Sequence, residues 1–202
     1  MKKILNIVSG IRGAASLSTQ LANSVVDRIQ AEYPDNEVTV YDLAQNPPPH
    51  LGLHHFEAVN IPSEQRTATQ AEDAAYSDTA IKDLFAADII VISIPFYNFG
   101  IPSTLKSWID HISRAGITFT YTEAGPKGLV TGKEVYLAFS AGGVYSAGPM
   151  QYLDSAEPYL RNVLGFFGMT DVTTFWLEGN KIPGIAETAW PKAMEQVNEF
   201  AF

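Results

Sequence analysis

Three short segments hold the residues best suited to chemistry. The first, Ser9-Gly10-Ile11-Arg12-Gly13-Ala14-Ala15-Ser16-Leu17-Ser18, has two glycines for tight turns, hydroxyls at positions 16 and 18, and an arginine. Where such a loop opens a helix, free N–H groups and the positive end of the helix dipole add to the hydroxyls, and the set suits a phosphate. Arg12 can add a charge-assisted contact. A single serine here would be read first as a helix cap; two serines, two glycines and an arginine favour the phosphate. No Gly-Lys-Ser/Thr is present, and Gly10 and Gly13 lack the G-x-G-x-x-G spacing of a dinucleotide loop. A phosphomonoester such as that of FMN fits better than NAD. The second segment, Pro95-Phe96-Tyr97-Asn98-Phe99-Gly100, packs three aromatics into one turn. Any one of them could be ordinary core, but three in so short a turn suit a flat ring system, with Asn98 and backbone amides to hydrogen-bond a heterocycle. The third, Ser140-Ala141-Gly142-Gly143-Val144-Tyr145, lets backbone approach a ligand closely, although a Gly-Gly pair alone reads equally well as a turn.

Regular elements must carry these segments to one place. Ile4–Val8 is an almost continuous apolar run, as expected of a strand covered on both faces. Leu17, Leu21, Val25 and Ile29 then recur at helical spacing until Pro34-Asp35-Asn36. Glu37–Tyr41 alternates as a strand. Residues 69–86 read as a helix and Ala87–Ile94 as the clearest buried strand. A helix opening at Pro102 continues to about Arg114, with Gly116 as its stop. Glu134–Ser140 is a strand, Pro149–Phe167 mainly helix, Val172–Leu177 the last strand, and Trp190–Phe200 a closing helix with Pro191 in its first turn. Strict β-α alternation predicts a doubly wound parallel sheet with helices on both faces, and five strands predict the flavodoxin-like order 2-1-3-4-5. The three segments follow strands one, three and four, at the carboxyl edge where such sheets bind ligands.

Composition narrows the function. The 202 residues carry 46% apolar content, enough for one core, and are read as one domain over 1–202. A formal charge of −9 disfavours nucleic acid and anionic membrane surfaces. There is no cysteine, so thiolate chemistry and disulfides are excluded. The apolar stretch after Met1-Lys2-Lys3 is too short for a secretory signal, and no run approaches the ~20 residues of a membrane helix, so a cytoplasmic location is expected. Residues 46–67 hold Pro47-Pro48-Pro49, Pro62 and three of the four histidines (His50, His54 and His55), and read as a surface excursion. Adjacent histidines with few carboxylates nearby make a solvated loop the better reading than a metal site. His111 reads as partly packed, and Glu72, Asp73 and Asp83 as solvated helix charges.

Taken together, the Ser9…Ser16-x-Ser18 loop, Phe96–Phe99, Arg114-Ala115-Gly116-Ile117-Thr118-Phe119, Tyr121-Thr122-Glu123-Ala124-Gly125-Pro126-Lys127-Gly128-Leu129-Val130-Thr131-Gly132-Lys133 and Leu164–Gly168 resemble the FMN-dependent NADH azoreductases, also classed as NADH:quinone oxidoreductases. The likeness runs over nearly the whole chain, and the Tyr121–Lys133 run is its most diagnostic piece. The resemblance implies a homodimer with one FMN per subunit and both active sites at the dimer interface. It implies that Ser9 or Gly10, with Ser16, Leu17 and Ser18, hold the phosphate end, that Phe96, Tyr97, Asn98 and Phe99 line the isoalloxazine, and that Ser140, Ala141, Gly142 and Gly143 contact its pyrimidine side. It further implies ping-pong turnover, NADH and then a quinone or azo aromatic occupying the same flavin face, with no amino-acid acid–base pair. Phe99, Phe119 and Tyr121 become candidates for stacking on substrate; Tyr121 could instead anchor its own segment. Gly10, Ala141 and Val163 depart from residues found in some members, which bears on acceptor preference. The alternatives are a flavodoxin-type electron carrier, an NADPH-dependent FMN or quinone reductase, and a non-enzymatic flavin-sensing module that contacts a partner through residues 46–67.

Overall fold

The computed structural model describes residues Met1–Phe202. Five parallel strands, β1 (Lys2–Val8), β2 (Asn36–Asp42), β3 (Ile89–Pro95), β6 (Glu134–Ser140) and β7 (Asp171–Leu177), form one sheet in the order β2-β1-β3-β6-β7. Counting only these five, that is the expected order 2-1-3-4-5. The remaining strands, β4 (Phe119–Thr122) and β5 (Gly125–Gly128), form a separate antiparallel pair.

β3 lies at the centre and all seven of its residues are buried. Successive side chains leave a strand on opposite faces, and β3 divides its own accordingly. Ile89 and Val91 join the core beneath α1 (Leu17–Glu32) and α6 (Ala186–Glu199), with Leu21, Val25, Ala189 and Val197. Ile90, Ile92 and Ile94 join the opposite core with Leu84 of α3 (Ala68–Ala86), Leu105 and Trp108 of α4 (Ser103–Ile112), and Leu160 and Leu164 of α5 (Glu157–Phe167). Covering both faces leaves the strand ends free to carry loops. The carboxyl ends of β3, β6 and β7 are in register, with Pro95 opposite Ser140 and Ser140 opposite Leu177.

Several elements differ from expectation. The surface excursion over residues 46–67 contains a seven-residue helix, α2 (Leu53–Val59), and a 3₁₀ turn at Ser63–Gln65. It is fastened to the helical layer by charge. Arg66 and Arg114 both donate to the Asp78 carboxylate. Arg66 also bonds Ile61 O at 2.9 Å, and Arg114 bonds Val59 O at 2.9 Å. His111, expected to be partly packed, is 1% exposed, and its Nε2–H donates to Pro49 O at 2.9 Å. Asp73 and Asp83 are not simply solvated: Asp83 accepts from the Tyr41 hydroxyl at 2.7 Å, and Asp73 lies 3.9 Å from His54 Nε2. A carboxylate therefore does stand beside the adjacent histidines.

The Trp190–Phe200 helix starts four residues earlier, at Ala186, which puts Pro191 inside the helix rather than in its first turn. The residues from Pro149 form only a 3₁₀ turn at Gln151–Leu153 before α5 begins at Glu157. α4 ends at Ile112, so Gly116 does not stop it; that glycine turns at φ +80° in the following loop. No helix is long and apolar enough to cross a membrane.

The Asp78 pair has a pH signature. Burial pushes its carboxyl up, but hydrogen bonds from Arg66 and Arg114 outweigh burial and hold it below the usual range. A depressed folded pKa contributes stability above the unfolded value of about 3.9, and that stability is lost as pH falls through the folded value. Asp78→Asn is expected to lower the thermal midpoint at pH 7, with the gap to the parent narrowing below about pH 4. Midpoints measured from pH 7 to pH 3 test this; a gap that stays constant would detach the excursion from this carboxylate.

Candidate active site at the carboxyl edge

The segment after β1 turns through a 3₁₀ turn at Gly13–Ala15 into α1. Ser16 takes the N-cap position, but its side chain does not cap the helix. Its Oγ pairs instead with Ser18 Oγ at 3.1 Å, so the first amides of α1 keep no side-chain acceptor. An α-helix begins with orphan N–H groups, and here they open toward a cavity. Thr19 Oγ1 is also buried without a hydrogen-bond partner. Uncapped amides and an orphaned hydroxyl at a helix N-terminus are what an anionic phosphate would satisfy.

Ser9 and Gly10 stand apart from that opening. Ser9 is 0% exposed; its Oγ donates to Ser93 O at 2.6 Å and its amide donates to Ser93 Oγ at 3.1 Å. It ties the ends of β1 and β3 together. Gly10 is crossed by the Ser16 side chain, whose Oγ would lie 2.4 Å from a Cβ at position 10. A serine at position 10 therefore requires Ser16 to move. Ser18 is likewise fully buried, while Leu17 and Ser16 reach the cavity wall.

After β3 the chain makes a two-residue turn. Tyr97 and Gly100 exchange backbone hydrogen bonds of 3.0 and 3.2 Å around Asn98 at φ +50° and Phe99 at φ +68°. Two positive φ values mark a type I′ turn, which is ordinarily filled by Asn-Gly. Phe99 in the left-handed region costs roughly 1–2 kcal/mol, and the turn is held by the Ser155 amide, which donates to Phe99 O at 3.0 Å. The effect on the rings is directional: Phe96 stacks on Tyr145 at 4.5 Å between centroids, and Phe99 stays 45% exposed at the rim. Two variants separate strain from ring. Phe99→Gly is expected to leave thermal stability within about 1 kcal/mol, because strain relief offsets glycine's unfolded-state entropy. Phe99→Val, β-branched at a positive φ, is expected to cost more than 1 kcal/mol. Equal midpoints for the two variants would show that the turn is not strained.

The loops after β6 and β7 form one hydrogen-bonded unit. The carbonyls of Ala141, Gly142 and Gly143 accept from the amides of Asn180 (3.4 Å), Lys181 (3.0 Å) and Gly179 (2.8 Å). Asn180 Nδ2 adds 2.9 Å to Ala141 O. With the carbonyls turned toward the β7 loop, the Gly142 and Gly143 amides remain as donors. Glu178 braces the same unit by accepting from the amides of Tyr145 (2.8 Å) and Ser146 (3.1 Å). Ala141 is 2% exposed and contributes backbone only.

These four loops enclose a cavity of about 290 Å³. Arg12, Ser16 and Leu17 form one wall, Pro95, Phe96 and Tyr97 the second, and Ser140 and Gly142 the third, with Asn180 and Lys181 closing the fourth. Two cations and no carboxylate line it, in a chain of formal charge −9. The uncapped amides, the orphaned Thr19 hydroxyl, the glycine backbone and the cationic walls fit a flat heterocycle carrying a phosphate. Thr19, Asn180, Lys181 and Glu178 were not found from sequence. The last three follow the fifth strand at the same edge, and Gly179 at φ +74° was the available signal.

Phe119 and Tyr121 are not brought to this cavity within the chain. They lie on the β4–β5 hairpin, between the end of α4 and the start of β6, and so at the opposite edge of the sheet. Phe119 is buried against Phe166 at 4.5 Å, and Tyr121 is 72% exposed, so it does not anchor its segment by burial. Gly128 of β5 passes directly over the end of α5: a Cβ there would stand 2.1 Å from Gly168 N.

Comparison with known proteins agrees with this architecture. A family model described as flavodoxin-like fold matches residues 2–201. An FMN-dependent NADH:quinone oxidoreductase of Mesorhizobium japonicum is 46% identical over 196 residues, covering 96% of this chain and 93% of its own. Another of the same name, from Herminiimonas arsenicoxydans, is 49% identical over 179 residues, covering 89% and 88%. Among solved structures, an azoreductase from Bacillus anthracis superposes with a TM-score of 0.87 at 29% identity, covering 98% of this chain and 96% of that one. A sheet ordered 2-1-3-4-5, a phosphate-suited helix start facing an aromatic turn, and this identity over almost the whole length place the chain in the FMN-dependent NADH:quinone oxidoreductase family of the flavodoxin-like fold.

Proposed function

We infer that the chain is an FMN-dependent NADH:quinone oxidoreductase. It works as a single FMN-binding domain over residues 1–202, in the cytoplasm and as a homodimer. The observation that carries the reading is the cavity at the carboxyl edge, cationic and free of carboxylates, with an uncapped helix start at one end and aromatic rings at the other. FMN, when bound, supplies the hydride-accepting and hydride-donating chemistry.

The protein's part is to hold, orient and polarise. Ser16, Ser18 and Thr19, with the first amides of α1, hold the phosphate, and Arg12 offsets its charge. Leu17, Phe96, Tyr97, Asn98 and Phe99 bound the ring system. The Gly142 and Gly143 amides, freed because their carbonyls are engaged by the β7 loop, donate to the pyrimidine edge, where preorganised donors stabilise negative charge. Ser9 and Gly10 act indirectly, by fixing the strand end and seating Ser16. Phe99 stands at the rim, where a planar nicotinamide, quinone or azo aromatic can stack in turn.

The position of Phe119 and Tyr121 supports the dimer. An exposed tyrosine at the opposite edge reaches a flavin only if a second copy brings its hairpin over the site. Stopped-flow mixing of the purified, yellow protein with NADH under argon tests the function. Flavin absorbance is expected to bleach in one phase and return on adding a benzoquinone, with NADH giving faster initial rates than NADPH. A flavin left oxidised by NADH would return the chain to the electron-carrier reading. A mass in solution equal to one chain would remove the dimer.

A further inference from the structure

The wall that the β7 loop gives to the flavin cavity carries a charge with no role so far. Arg12 and Lys181 are the two cations lining the cavity, and Arg12 stands with Ser16 at the phosphate end. Lys181 stands elsewhere. The Ser16 side chain crosses Gly10, just beyond β1, whereas Lys181 follows β7, three strands away in the order β1-β3-β6-β7. At about 4.8 Å between neighbouring strands, those two strand ends lie about 14 Å apart. Lys181 therefore serves the ring side of the cavity.

Its backbone and its stem are both fixed there. The Lys181 amide donates to Gly142 O at 3.0 Å, and the Gly179 amide donates to Gly143 O at 2.8 Å. The Ile182 amide closes the turn on Gly179 O at 3.0 Å. The aliphatic stem crosses Gly142, where a Cβ would stand 3.1 Å from Lys181 Cγ. A glycine at 142 thus lets the stem lie against the backbone that borders the ligand. The ammonium, by contrast, is unspent. Lys2 and Lys106 pair with Glu134 and Asp110, and Lys133 donates to the carbonyls of Phe85 and Ala87, but Lys181 has no protein partner. Glu178, the acid nearest to it in sequence, is committed to the Tyr145 and Ser146 amides.

Reduction adds negative charge to the pyrimidine edge of a flavin, and a charge beside that edge tunes how readily the cofactor accepts electrons. The Gly142 and Gly143 amides offer only dipoles. Lys181 offers a whole charge on the same side, and no carboxylate lines the cavity to oppose it. Ala141, 2% exposed, supplies no side chain there. On the FMN reading of this cavity, we propose that the Lys181 ammonium is the electrostatic partner of the reduced flavin, binding the reduced cofactor more tightly than the oxidised one and so raising its reduction potential.

Two measurements on the parent, Lys181→Met and Lys181→Arg test this. One is the potential of the FMN-loaded protein, equilibrated with a reference dye under argon. The other is the affinity of apoprotein for oxidised FMN, by fluorescence titration. Methionine keeps the stem over Gly142 and removes the charge. Lys181→Met is expected to bind oxidised FMN within about twofold of the parent and reduced FMN about tenfold less tightly, which lowers the two-electron potential by about 30 mV. Lys181→Arg should restore most of that loss. Lys181 is exposed, so the gap between parent and Lys181→Met should narrow at high salt. An unchanged potential in Lys181→Met overturns the proposal. So does an equal loss of oxidised and reduced affinity, which would put the lysine on the phosphate. Both of those outcomes leave the FMN reading standing, whereas a parent protein that takes up no FMN overturns that reading and this assignment with it.

Discussion

The Ser16→Ala/Ser18→Ala double variant is expected to retain FMN about 10²–10⁴-fold less tightly than the parent while folding almost as stably. A hydrogen bond to a charged group is worth roughly 1.5–3 kcal/mol, so two lost to a phosphate sum to about 3–6 kcal/mol, at about 1.4 kcal/mol per tenfold. The two hydroxyls lie 3.1 Å apart at the start of α1 and neither caps it. That arrangement separates binding from folding. If Ser16 were a working N-cap, its loss would cost about 1 kcal/mol of stability and leave flavin affinity untouched. Because the cap bond is absent, the cost is expected in binding. Fluorescence titration of apoprotein with FMN, alongside thermal unfolding of the apoprotein, reads both. Lowered stability with unchanged affinity would turn these serines into structural residues and remove the phosphate site.

How far this site could be read from sequence depended on what each residue leans on. Ser9–Ser18, Phe96–Phe99 and Ser140–Gly143 were legible because a strand's carboxyl end is itself legible: Ile89–Ile94 is apolar at every position but Ser93, and the residues that follow must lie at the binding edge. Asn180 and Lys181 were missed although the same rule covers the strand before them. They are brought to the cavity by backbone bonds to Ala141–Gly143, nearly forty residues away, and no local pattern records these. The Ser16 hydroxyl showed the limit in the other direction, since an N-cap serine predicts a capping bond and the structure spends the hydroxyl on Ser18.

Outside the site the same distinction holds. α2 has seven residues, too few for a periodic signal, and follows a proline run that argues against a helix. The β4–β5 turn is Glu123-Ala124, without the Asn-Gly or Asp-Gly signature of a hairpin. Arg66, Asp78 and Arg114 are separated by 12 and 36 positions, so their joining is a product of helix packing alone. Pro191 sits inside α6 because the helix gains its stability from Ala189, Ala193 and Val197 in the core rather than from propensity.

The Gly128→Ala variant is expected to lose stability and turnover together while keeping its flavin. A Cβ at position 128 would stand 2.1 Å from Gly168 N and 2.3 Å from Phe167 C. Both are backbone atoms at the end of α5 and cannot rotate away. Gly168 is itself held at φ +103°, and Val130 N donates to Phe167 O at 2.9 Å, so the crossing is bound from both sides. Relieving the overlap means lifting β5 from α5. Overpacking of this kind costs about 3 kcal/mol or more, and a chain of this size loses roughly 2–4 °C of thermal midpoint per kcal/mol, giving a fall of about 6–12 °C. Lifting β5 also loosens Phe119 from Phe166 and displaces Tyr121. In the proposed dimer those rings cover the flavin of the second copy, so quinone reduction should fall several-fold. The flavin cavity lies at the other edge of the sheet, and FMN affinity should match the parent. Weakened FMN binding with intact stability would mean that the hairpin acts on its own chain's cavity. An unchanged midpoint would show that β5 has room above α5, which the backbone crossing at Gly128 and Gly168 does not allow.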